Sequence, residues 1–233
     1  MNISSPDTPN PDTSGEGRLH DYPAWIYLLK EFYDVYSRGS AGGSKTVRAH
    51  RKRVRDTISS VLNASPAVVP RAPAQLPVTA HLPRAFDLAA RGIMTGMSRA
   101  LERAAHDLTW EYGYQRVPPH LRKTYGYCEI LGPRGPVLCE KLTLGFVLFA
   151  PRTTYPQHSH PDIEESYISV AGDWSENETV VLAPGSLILN TPGHEHRITT
   201  GNQDPCLLAY AWLGPSDRLS DPAMKFSKPR KQG

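Results

Sequence analysis

At Val117-Pro118-Pro119 the chain changes its periodicity, and that change limits the fold more than any bulk property does. Before it, apolar residues recur at helical spacing. Trp25, Ile26, Leu29, Phe32, Tyr33 and Tyr36 return at three- and four-residue steps, which predicts a helix from Tyr22 to about Ser37. The glycine-rich stretch Gly39 to Gly43 ends it. A second helix is expected from Lys45 to about Leu62, with Val47, Val54, Ile58 and Leu62 inward. Five prolines between residues 64 and 83 mark a connector. A third helix is expected over Arg84 to Thr109, with Phe86, Leu88, Ile93, Met97, Leu101 and Ala105 on its apolar side.

After the diproline, short β-rich runs follow one another with no helix between them. Tyr125–Leu131 and Val137–Ala150 read as strands joined in a hairpin at Gly132-Pro133-Arg134-Gly135. Further strands are expected at Glu165–Val170, Thr179–Leu182, Ser186–Leu189, His196–Thr199 and Leu207–Leu213, separated by Gly- and Pro-containing turns. Such a series closes into a sandwich or a small barrel. The chain therefore divides into a disordered lead-in over residues 1–19, a helical extension over 20–116, a β-barrel over 117–216 and a flexible tail over 217–233.

Charge and cysteine usage exclude several classes. With 26 basic and 23 acidic residues the formal charge is only +3, too small an excess for a nucleic-acid binder. The cluster Arg48, Arg51, Lys52, Arg53 and Arg55 reads as a solvated helix face. Cys128, Cys139 and Cys206 form no CxxC pair, and an odd count closes no disulfide framework. The N-terminus lacks the basic and apolar regions of a signal peptide. No apolar run approaches the ~20 residues of a membrane helix. A cytoplasmic protein with no membrane or nucleic-acid partner is expected.

The chemistry concentrates in two strings of the strand half. HSHPDIEESYISVAG places four residues between His158-x-His160 and Glu165, and six between Glu165 and Gly172. Alternate residues of a strand share a face, so both imidazoles can point into a barrel. The second string, APGSLILNTPGHEHRI, carries Gly185, Gly193 and His196. Three imidazoles and one carboxylate suit a single divalent transition ion such as Zn, Fe, Mn, Co or Ni. Glu164 competes with Glu165 for the carboxylate position. His194 reads as a rim residue, and His120 stands where it could cover the barrel mouth. Tyr167, two residues beyond Glu165, shares its face. A phenol beside a cation can lose its proton well below its ordinary value and serve as a base. The same position equally suits a core tyrosine.

Both strings resemble the paired cupin motifs, over about a hundred residues. Arg152 stands where the first motif has glycine, Thr191 replaces a proline, and Thr200 replaces the closing asparagine; none of the three is a ligand. The resemblance implies a small β-barrel of jelly-roll type behind an α-helical extension. Within the cupins, the Glu165-Ser166-Tyr167 arrangement and the long helical extension resemble the bacterial DddL-type lyases of dimethylsulfoniopropionate (DMSP). That resemblance implies β-elimination of DMSP to dimethyl sulfide and acrylate, with Tyr167 as base and Tyr155 as a second active-site tyrosine. A cationic sulfonium favours aromatic faces, and Tyr125, Tyr127 and Trp174 are candidate pocket walls. The helical half could pack on its own barrel or across a two-fold axis, and a homodimer is expected. Other cupin chemistries use the same ligand set, so a dioxygenase or isomerase stays open, as does a non-enzymatic sensor.

Overall fold

The computed structural model describes residues 17–38, 43–113 and 117–222, together with the backbone of 225–226. The helical part comprises α1 (Pro23–Ser37), α2 (Lys45–Ala64), α3 (Leu82–Ala89) and α4 (Thr95–Ala104). The strand part comprises β1 (Tyr125–Gly132), β2 (Val137–Leu138), β3 (Thr143–Phe149), β4 (Thr154–Ser159), β5 (Glu164–Ala171), β6 (Trp174–Glu176), β7 (Val181–Leu182), β8 (Leu187–Asn190), β9 (His196–Thr200) and β10 (Cys206–Leu213). A short helix α5 (Ser216–Ser220) and an edge strand β11 (Lys225–Phe226) follow. Two sheets result, in the orders β2-β1-β3-β10-β5-β8 and β11-β4-β9-β6-β7. This is a β-rich, two-sheet architecture behind N-terminal helices, as the change of periodicity and the resemblance of the two strings lead one to expect.

The sheets differ in what covers them, and their sequences show it. Every residue of β3 is buried, because one face lines the barrel and the other meets the helices. Phe146 takes the helical side, its ring 5.3 Å from that of Phe32 on α1. Val147 and Phe149 take the inner side with Tyr125, Leu208 and Tyr210. Burial on both faces explains why these strands read as continuous apolar runs. Strand β9 has a face that meets solvent, and its burial alternates. Gly172 ends β5 at φ +75°, and a Cβ there would lie 2.2 Å from the Pro205 carbonyl oxygen. Only glycine fits that closing turn.

Several expected elements are differently divided. The third helix is two, because Gly92 interrupts it and the Thr95 hydroxyl donates to the carbonyls of Ala90 (3.2 Å) and Gly92 (2.5 Å). A side chain that bonds local carbonyls competes with helix continuation. Ile93, expected inward, is 68% exposed at that break. The expected strand over Val137–Ala150 is also broken, at the exposed pair Glu140-Lys141. No hairpin joins its first piece to β1: β2 runs parallel to β1, whose antiparallel partner is β3. The proline-rich connector holds β2 from the other side, with Val68 bridging Val137 and the Val69 amide donating to the Pro136 carbonyl at 2.8 Å. Strand β6 has no counterpart among the expected strands.

At the ends of the chain, residues 1–16 of the expected lead-in and 227–233 of the expected tail lie outside the described residues. Leu19, within the lead-in, is buried, as is Leu219 within the tail. No helix among the described residues is long and apolar enough to cross a membrane.

Candidate metal centre

Three strands bring the two sequence strings together. His158 on β4 pairs directly with His196 on β9, and their rings are 4.1 Å apart. His160 follows β4 by one residue, its ring 5.5 Å from that of His158. Glu165 enters from β5 in the other sheet. Its Oε2 lies 2.9 Å from His196 Nε2 and 4.0 Å from His160 Nε2. One ligand-capable atom each from His158, His160 and Glu165 falls within a 4.8 Å group. All four side chains are buried. Glu164 faces the opposite way: its carboxylate accepts from His50 Nδ1 at 3.0 Å and pairs with Arg53.

The strand pairing around His158 contains a one-residue irregularity that strict alternation does not anticipate. Between Tyr155↔Ile198 and His158↔His196, β4 advances three residues while β9 advances two. This is a β-bulge at Pro156-Gln157. Without it, Tyr155 and His158 would point to opposite faces. With it, Tyr155 joins the inner cluster, its ring 5.0 Å from that of His158 and 4.7 Å from that of Tyr125. The bulge also aims the Pro156 carbonyl at His158, whose Nδ1–H donates to it at 2.9 Å. His196 Nδ1–H donates likewise to the His194 carbonyl at 3.2 Å. In His158 this leaves Nε2 with its lone pair facing inward, whereas His196 Nε2 faces the Glu165 carboxylate, which outweighs burial and raises the His196 pKa.

That inward set is short of hydrogen bonds. His160 Nε2, His196 Nε2 and Glu165 Oε2 are buried without a well-formed partner among the described residues. Buried polar atoms are rarely left so, and three convergent ones form a group that can hold an ion. Glu165 Oε1, by contrast, accepts from the Trp212 indole N–H at 2.6 Å. Burial alone would raise the Glu165 carboxyl, but the adjacent imidazoles hold it below the ordinary carboxylate range. Burial, then repulsion by His196, lowers His158 to about 3, so its ring is neutral, the form that ligates metals.

The aromatic candidates separate. Tyr167 lies on the inner face of β5, its ring 6.2 Å from that of His196. Burial and then the Glu165 charge push its phenol well above its ordinary value. Trp174 packs against Tyr167, ring to ring at 6.0 Å, and its N–H donates to Ser169 Oγ at 2.6 Å. The Tyr155 hydroxyl donates to that of Tyr125 at 3.4 Å. Tyr127 packs against the inner aromatic cluster, and its hydroxyl donates to Glu111 Oε1 at 3.1 Å. His194 and His120 are exposed; His194 meets the cluster through its carbonyl and through its ring, which lies parallel to that of His196 at 6.5 Å. Trp212, on β10, lies outside both sequence strings. Its place opposite Glu165 depends on the pairing of β10 with β5, to which no local pattern points.

A family model for dimethylsulfoniopropionate lyase matches residues 50–208. A protein of Cereibacter sphaeroides, provisionally named the dimethylsulfoniopropionate lyase DddL, is 65% identical over 92% of this chain and 92% of its own. The chain belongs to the DMSP lyase family. Its class of chemistry is carbon–sulfur bond lysis. The crystal structure of the DMSP lyase DddQ from Ruegeria pomeroyi superposes with a TM-score of 0.68 at 22% identity, covering 91% of this chain and all of that one. A chain from a crystallographic study of the DMSP lyases RdDddP and RnDddQII gives 0.63 at 24% identity, covering 88% and 98%. At these identities the superpositions show a shared fold and nothing more.

Proposed function

We propose that this chain cleaves DMSP to dimethyl sulfide and acrylate by β-elimination at a divalent transition-metal site formed by His158, His160, Glu165 and His196. The convergence of buried, hydrogen-bond-poor Nε2 and Oε2 atoms carries this reading. A set of three nitrogens and one oxygen suits Zn, Fe, Mn, Co or Ni. Such an ion supplies Lewis-acid stabilisation of the substrate carboxylate while negative charge builds at the α-carbon.

The remaining work falls to the protein's side chains. Tyr167 is the base. Its phenol is held protonated by burial and by Glu165, and a nearby divalent cation acts in the opposite direction, favouring phenolate. The phenolate takes the α-proton, the C–H electrons form the new double bond, and the β-carbon–sulfur bond breaks with its pair leaving on neutral dimethyl sulfide. Tyr155 orients the substrate, with Tyr125 behind it. The rings of Tyr125, Tyr155 and Trp174 offer π faces to the sulfonium, worth about 0.5–2 kcal/mol each where water is excluded. Trp212 keeps the Glu165 carboxylate in one orientation. Proton NMR of a DMSP incubation tests the reaction type: acrylate and dimethyl sulfide should appear in equal amounts. A demethylated thioether acid or a hydroxy acid in their place would contradict β-elimination.

A further inference from the structure

Glu165 is flanked on β5 by Glu164 and Ser166, both of which face the helical layer. One imidazole from that layer holds both. His50 on α2, fully buried, places Nδ1 3.0 Å from Glu164 Oε2 and Nε2 2.8 Å from Ser166 Oγ. Tyr36 on α1, also buried, places its hydroxyl 2.7 Å from the same Ser166 Oγ. One proton arrangement satisfies every partner. Tyr36 O–H donates to Ser166, Ser166 O–H donates to His50 Nε2, and His50 Nδ1–H donates to the Glu164 carboxylate, which Arg53 also pairs. That arrangement requires a neutral imidazole, and burial lowers the pKa of His50 accordingly.

We infer that His50, with Tyr36 and Ser166, is a positioning device by which the helical layer sets the orientation of Glu165 at the metal centre. The inference rests on the metal reading above. The residues before and after Glu165 are tied to one rigid ring, so the backbone between them has little freedom to twist. The carboxylate on the opposite face of the strand inherits that restriction, as does Tyr167 one residue beyond Ser166. A triad of this composition could suggest a nucleophilic serine, but Ser166 has no exposed surface and Tyr36 caps its oxygen. What the arrangement can do is hold a strand. It also gives the helical extension a chemical role in a site whose ligands all lie in the barrel.

The test uses Co(II) as probe on the full chain, reading its dissociation constant by chelator competition and its visible d–d spectrum. Ser166→Ala and His50→Gln should each weaken Co(II) binding about 10–100-fold, the range for outer-shell partners of a metal ligand, and shift the d–d bands. Tyr36→Phe removes a single hydroxyl and should act in the same direction, which keeps the test open if a more disruptive variant fails to fold. Ile58→Val is the packing control. It lies on the same helix about 12 Å from His50, and it should lower Tm while leaving both readouts unchanged. Wild-type affinity and spectrum in folded Ser166→Ala and Tyr36→Phe would overturn the positioning role alone. Failure of the wild type to bind Co(II) would overturn the metal reading and this inference with it.

Discussion

Tyr167 and Trp212 both act on the Glu165 corner of the site, and they are separable by experiment. Tyr167→Phe deletes the proposed base and spares every ligand. Metal content by elemental analysis should be unchanged while dimethyl sulfide release falls about 10²–10⁴-fold, the usual contribution of general-base catalysis. Full activity in that variant would remove Tyr167 from the mechanism. Trp212→Phe keeps the aromatic bulk but removes the N–H that Glu165 Oε1 accepts. Metal affinity should fall about tenfold, with Tm little changed. Much at this scale is legible in the amino-acid sequence: the His-x-His alternation, the carboxylate that follows and the later histidine are local patterns. Between Glu164 and Glu165 spacing cannot decide, because it does not say which parity of β5 faces inward. The pairing Tyr167↔Tyr210 and Trp212↔Glu165 says it, through contacts more than forty residues apart.

Elements carry the features that sequence patterns miss. The bulge at Pro156-Gln157 is an offset between two strands, and an offset has no signature in one strand alone. Deleting Gln157 restores strict alternation and should turn Tyr155 off the inner face, while His158 and His160 keep their register with His196. Metal should be retained and lyase activity should drop at least about tenfold; undiminished activity would mean that Tyr155 has no part in the reaction. The helices are legible from their apolar periods, yet the division of the third one follows from a threonine hydroxyl and a glycine that a periodic count treats as neutral. The element interface that His50 occupies is also a pH-sensitive one. Burial lowers the folded-state pKa of His50 below its unfolded value of about 6.5. Stability from this group is therefore present above that value and is lost as pH falls through it. Between pH 7.5 and 5.5 the Tm of the wild type should fall more steeply than that of His50→Gln, and parallel curves would contradict the assignment of a neutral buried ring.

The molecule is one packed object, in which the helical layer and the barrel share a sheet. Phe32 on α1 meets Phe146 on β3, and both side chains are fully buried in a core that runs from the helices through the six-stranded sheet. Thermal unfolding followed by helix and by aromatic signals should therefore give one coincident transition. Phe32→Ala should cost about 3–5 kcal/mol, as expected for emptying a packed aromatic site. Separate transitions for the two layers would contradict the shared core. At this scale the change from helices to strands is readable at the diproline, whereas the contacts between the two layers are not. The proline-rich segment reads as a linker by composition, but it bridges β2, and Ala74 bridges Thr109 beyond α4. Bridges of this kind depend on where the chain returns in space.

The central claim is that one divalent ion at His158, His160, Glu165 and His196 is required for DMSP cleavage. The direct measurement is headspace gas chromatography of dimethyl sulfide from purified protein that has been stripped with a chelator, shown metal-free by elemental analysis, and then titrated with one divalent ion at a time. The account predicts no release above the DMSP blank from stripped protein, and release restored at one equivalent by at least one of Zn, Fe, Mn, Co or Ni. Undiminished release from protein verified to be metal-free would contradict it.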